Sequence, residues 1–120
     1  MAERLKLELP AKSDYLLPIR LFVSGIATRL EYNMSDIEDI RVCVSEACAL
    51  LLRGIQTGML HMDIDAAEKL TVEIAVKDGA WQEEQEDDEL PRMILEAMAG
   101  EFAAKETDGR VTEIHMSFDK

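Results

Sequence analysis

The sequence predicts a single α/β domain, a two-layer sandwich in which a mixed β-sheet is covered on one face by three helices, in the order β-α-α-β-β-α-β. Three observations predict it. Leu5-Leu7-Leu9 and Leu70-Val72-Ile74-Val76 alternate apolar and polar at a period of two, as half-buried strands do. Two stretches with apolar residues at helical spacing fall between those strands, and a third precedes the last strand. At 120 residues and 48% hydrophobic composition, the chain can build one modest core over 1–120 rather than two. Such elements bury their apolar sides most simply as one sheet against one layer of helices.

Each element has local signals. Pro10 ends the first strand. Ser13 is read as the cap of a helix running to about Leu30, with Pro18 in its tolerated first turns. The next helix begins at Ser35, with Glu38 completing a capping box, and stops at Gly54. Ile37, Ile40, Val44, Ala47, Cys48 and Leu51 make its core face, and Val42, Cys43, Ala49 and Leu50 a second apolar face. That pattern predicts a helix buried nearly all round, with Glu46 as an ionisable residue enclosed by apolar neighbours that needs a partner or a raised pKa. Met59 to Ile64 forms a strand, residues 65–69 a turn, and Leu70 to Val76 a strand that closes at Asp78-Gly79. Leu90 to about Ala104 reads as a helix with Ile94, Leu95, Met98 and Phe102 on its core stripe, and Asp108-Gly109 turns into a last strand ending near Phe118.

Composition narrows the function. A net charge of −12 argues against a nucleic-acid surface or an anionic membrane and suggests basic partners or simple solubility. No apolar run is long enough to span a bilayer and no signal peptide is recognised, so a cytoplasmic location is expected. Cys43 and Cys48 point in different directions from one helix and lack metal-ligand spacing; they read as free core thiols in a reducing compartment. His61 and His115 fall in strands without flanking ligands, so no metal site is expected.

The run Arg41-Val42-Cys43-Val44-Ser45-Glu46-Ala47-Cys48 resembles the N-box helix of the bacterial anti-sigma factor serine kinases, within the histidine-kinase and Hsp90-like ATPases. The resemblance continues from about Leu5 through Ile19-Arg20-Leu21 and Ser24-Gly25, and returns in the closing helix and strand. It implies Glu46 as the general base, Asp78 as the adenine contact, Arg20 as a contact for a sigma factor or an anti-anti-sigma protein, and a homodimer. It also exposes three departures. Leu50 stands where the family's asparagine holds the magnesium of ATP, the glycine pattern after Asp78 is interrupted by Ala80-Trp81, and an acidic segment at about 82–89 replaces the ATP lid. Phosphoryl transfer rests on positioning and on metal neutralising charge, so these departures strike the mechanism itself. The expectation is a degenerate member acting by protein–protein binding, with Glu46 and Asp78 vestigial and no cofactor. The alternatives are an active kinase that binds ATP and Mg2+ through an atypical site, and a structural homodimerisation module.

Overall fold

The computed structural model describes residues 3–82 and 89–120. Strand β1 (Arg4–Pro10) leads through a 3-10 turn at Ser13–Tyr15 into helix α1 (Leu16–Arg29), followed by α2 (Met34–Leu52), β2 (Ile55–Asp65), β3 (Leu70–Trp81), α3 (Glu89–Met98), β4 (Glu101–Thr107) and β5 (Arg110–Phe118). The five strands form one sheet in the order β1-β2-β3-β5-β4. The predicted element order holds, with one strand added.

Registers across the sheet explain the alternation in the sequence. Leu7, Met62 and Ile74 lie side by side on β1, β2 and β3, and Ile74 pairs onward with Ile114 of β5 and through it with Ala104 of β4. Leu60, Met62, Ile64, Leu70, Val72, Ile74, Ile114 and Met116 on this face are almost fully buried. Helix α1 presents Ile19, Val23 and Ala27 to the core, and α2 presents Ile40, Val44, Ala47, Cys48 and Leu51. The opposite face is polar and carries the pairs Lys6–Asp63 (3.6 Å), His61–Glu8 (3.5 Å) and His115–Glu73 (3.1 Å). Each histidine thus sits beside a carboxylate on a neighbouring strand.

Several expectations are corrected. The sheet is antiparallel at every pairing rather than mixed. Two successive helices between β1 and β2 reverse the chain twice, and the other neighbouring pairs joined in sequence are hairpins. The third helix ends at Met98, not near Ala104, and Phe102 and Ala104 belong to β4. Gly100 marks the break: a Cβ there would lie 2.8 Å from an Asp119 carboxylate oxygen and 3.1 Å from the Ser117 carbonyl, and its N–H donates to that carbonyl at 2.9 Å. Ser35 does not cap α2; Asn33 does, its side-chain oxygen accepting from the Asp36 N–H at 2.8 Å. Ser13 lies in the 3-10 turn that precedes α1 and makes no side-chain cap.

The position of that cap is fixed from the α1–α2 connection. Tyr32, buried there, donates its hydroxyl to the Phe118 carbonyl (2.6 Å) and accepts from the Leu70 N–H (2.8 Å), tying the helical layer to β3 and β5. Its burial pushes the phenol above its ordinary pKa, so the group is a neutral donor at physiological pH.

Candidate functional site

Helix α2 has two environments on its outward side. Along its first turns, Glu38, Arg41, Val42, Ser45 and Glu46 join Arg20 of α1 around a cavity of about 330 Å³. Val42 and Ala49 are exposed and Glu46 is half-exposed, so only Cys43 and Leu50 of the second apolar face are buried. The enclosed carboxylate expected at Glu46 is therefore not found. Ser24 of α1 and Ser45 of the cavity wall turn their hydroxyls back to the Arg20 and Arg41 carbonyls, at 2.7 and 2.9 Å.

The guanidinium of Arg20 is the unusual group. Its Nε is buried without a hydrogen-bond partner among the described residues, whereas Arg41 is paired with Glu38 at 3.1 Å. Leaving a buried donor unsatisfied costs on the order of 1–3 kcal/mol. Leu17 and Leu21, three residues before and one after Arg20, are more than half exposed, at 53% and 57%. Large aliphatic side chains so open beside an unsatisfied arginine make a surface with an apolar and a charged part.

The C-terminal end of α2 is closed. Leu50 is buried in the core, and Leu51 and Arg53 give their carbonyls to ring and guanidine donors: Trp81 Nε1 to the Leu51 oxygen at 3.0 Å and Arg110 to the Arg53 oxygen at 2.8 Å. Arg110 also donates to the Gln82 oxygen at 3.1 Å and lies over the indole at 5.2 Å. A cation against carbonyls at a helix C-terminus complements the helix dipole. Arg110 carried no sequence signal, since its partners lie in distant segments.

Asp78 is exposed, at φ 53, and β3 does not end there but runs to Trp81. The ladder steps from Met59↔Lys77 to Thr57↔Ala80, so Asp78 and Gly79 together oppose Gly58 as a bulge. A Cβ on Gly79 would fall 2.3 Å from the Trp81 ring, so this glycine lets the indole close down on the strand rather than opening the backbone to a ligand. Trp81 and Arg110 face a second cavity, of about 510 Å³, lined also by Gly79, Gln82, Thr107, Asp108 and Thr112.

The structure thus brings Arg20 and Glu46 to one cavity and leaves Asp78 outside its lining. At the position where the resemblance places the magnesium ligand, Leu50 supplies no ligand atom, and Gly79, next to Asp78, is covered by an indole; these residues do not fit a magnesium nucleotide. Of the acidic segment at 82–89 read as replacing the ATP lid, residues 83–88 lie outside the described residues. Cys43 and Cys48 are buried free thiols, each pushed up to about 12, by burial in both and secondarily in Cys43 by Asp39 and Glu46. Among the described residues there is no group of three or more His, Cys, Asp or Glu that could hold a metal, and no helix is long and apolar enough to cross a membrane.

No protein-family model matches the chain. Its sequence is similar to the serine-protein kinase RsbW of Bacillus pumilus, 31% identical over 93 residues that cover 72% of this chain and 57% of that protein. The RsbW of Bacillus licheniformis is 34% identical over 85 residues, covering 71% and 47%. That of Halalkalibacterium halodurans is 52% identical over 46 residues, covering 38% and 28%. The chain spans about half the length of the first two.

Proposed function

The chain is a relative of the bacterial anti-sigma factor serine kinases, and from that premise we propose that it regulates by binding a sigma factor or an anti-anti-sigma protein, with ATP binding and kinase activity lost. The observation that carries this reading is the Arg20 cavity: an arginine whose Nε is buried without a partner among the described residues, with exposed Leu17, Leu21 and Val42 nearby. A partner acceptor would satisfy Arg20 Nε while its apolar side chains cover the leucines, and arginine is favoured at such anchor points. Glu46, on the rim of the same cavity, supplies a carboxylate for a basic partner group rather than a base for phosphoryl transfer. The protomer acts as a homodimer.

Binding of purified sigma factor and anti-anti-sigma protein from the same host tests the reading. The wild-type chain binds one of them without nucleotide, and Arg20→Glu abolishes binding while leaving the circular dichroism spectrum unchanged. Binding to neither partner, or equal binding by Arg20→Glu, contradicts it. The rival reading, an active kinase, requires phosphate transfer to the anti-anti-sigma protein from Mg-ATP, which the proposal expects to be absent.

A further inference from the structure

Two irregular strands meet at the cavity of about 510 Å³ beside Trp81. On β3, Asp78 and Gly79 together oppose Gly58. On β5, the ladder steps from Lys105↔Glu113 to Glu106↔Val111, so Thr112 is the extra residue of a second bulge. The β1–β2 and β3–β5 pairings have no such step. Gly79 and Thr112 both line the cavity, and so does Trp81, two residues past the first bulge. A bulge bends its strand and re-aims side chains, and here two of them do so at one place. The cavity's volume is within the roughly 300–1,000 Å³ of small-molecule sites.

Opposite charges line this cavity at Asp108 and Arg110. The turn between β4 and β5 fixes their places. Thr107 pairs with Arg110, so Asp108 and Gly109 form a two-residue hairpin, with φ 53 and 76 as a type I′ turn demands. Arg110 donates to the main-chain oxygens of Arg53 and Gln82 rather than to a carboxylate, and no ion pair among the described residues joins it to Asp108. A guanidinium has more N–H donors than the two used there, and neutral carbonyls leave its charge in place. Those two bonds also hold the group before any ligand arrives, which lowers the ordering cost of binding.

Trp81 supplies the apolar wall. Its Nε1 donates to the Leu51 oxygen at 3.0 Å, and the missing Cβ of Gly79 makes room for the ring, so the indole is held from both sides. It is half-exposed, and the Arg110 guanidinium lies 5.2 Å from its centroid. The Thr107 and Thr112 hydroxyls, 3.2 Å apart, reach the same cavity and add groups that can donate or accept. One cation, one anion, one aromatic ring and a pair of hydroxyls thus converge within a small-molecule volume. A ligand of single charge leaves either Asp108 or Arg110 unmatched. A ligand that carries both charges on adjacent groups, with a bulky apolar arm, matches all of them.

We propose that this cavity binds a free α-amino acid with an aromatic or large apolar side chain. Arg110 takes the α-carboxylate, Asp108 the α-ammonium, the side chain lies against Trp81, and the threonine hydroxyls complete the hydrogen bonds of the two charged groups. The site is separate from the Arg20 cavity, with which it shares no lining residue, and it stands whether or not a protein partner binds there. Trp81 is the chain's one tryptophan, so its fluorescence reports on this cavity alone. The probes are L-phenylalanine, phenylpropionate (no ammonium), phenethylamine (no carboxylate) and L-alanine (no ring), titrated into the wild type and into Asp108→Asn. Asparagine is at home at φ 53, so that variant keeps the turn.

The expected result is a saturable change in Trp81 fluorescence with L-phenylalanine, with a dissociation constant of about 1 mM or tighter, and binding at least roughly tenfold weaker for each truncated probe. Asp108→Asn weakens L-phenylalanine roughly tenfold and leaves phenylpropionate within about twofold of its wild-type affinity, with circular dichroism unchanged. No saturable change with L-phenylalanine up to about 10 mM overturns the site. Binding of phenylpropionate or phenethylamine as tight as that of L-phenylalanine, or L-phenylalanine binding that Asp108→Asn does not weaken, overturns the amino-acid assignment.

Discussion

The two ends of α2 are built on opposite terms. At the C-terminal end the terminal carbonyls named above are matched: Leu51 accepts from Trp81, Arg53 from Arg110, and Leu50 is packed out of contact with water. Toward the N-terminal half, Arg20 Nε has no acceptor among the described residues, Val42 is exposed and a groove stands open. A matched end contributes stability, whereas an unmatched one holds interaction capacity in reserve. On the proposed reading, the end of α2 that carries Leu50 serves as framework. On the same reading, the half with Arg20, Val42 and Glu46 serves as a docking surface.

The contrast breaks most visibly at Trp81. Its half-buried indole bridges β3 and the end of α2, so Trp81→Ala is expected to cost about 3 kcal/mol, read as a lowered urea midpoint. Leu50→Asn places an amide in the core and is expected to cost about 2–3 kcal/mol without conferring calorimetric binding of Mg-ATP, because Gly79 stays beneath the indole. Arg20→Ala is expected to leave stability within about 0.5 kcal/mol of wild type, or slightly raise it, while weakening partner binding by about 2 kcal/mol, roughly thirtyfold. These responses are opposite in kind: framework residues change folding, and the arginine changes binding.

Legibility in the sequence follows the same division. The leucine alternation of β1 and the Leu70–Val76 alternation of β3 reported the buried face correctly, because a period of two on one side of a sheet leaves little freedom. Of the residues that the resemblance singled out, Arg20 and Glu46 line one cavity and Asp78 does not. What failed depended on distant partners. Asn33 and Ser35 are equally good caps by type, and Tyr32, bonded to Phe118 and Leu70, fixes the turn that makes Asn33 the cap. Phe102 and Ala104 fit helical and strand spacing alike until Gly100 is seen pressed against β5. Val42 and Ala49 read as a second core face because an apolar residue carries no mark of whether anything will cover it.

A smaller effect sharpens the comparison from the core side of α2. Cys43 and Cys48 have folded-state pKa values raised from 9.0 to about 12, so above pH 9 the unfolded chain loses thiol protons that the folded chain keeps. Their contribution is fully present below pH 9 and is lost as pH rises toward 12. The loss of stability over that window is expected to be shallower in Cys43→Ala with Cys48→Ala than in the wild type, measured by urea denaturation. Both native thiols are also expected to stay unreactive to a thiol reagent at pH 8 until the chain is unfolded.

The most direct test of the central claim is calorimetric titration of the purified chain with the cognate partner, in the presence and absence of Mg-ATP. The account predicts the same dissociation constant in both, with no separate heat of nucleotide binding up to about 1 mM. A partner affinity that depends on Mg-ATP, or nucleotide binding tighter than about 1 mM, contradicts it.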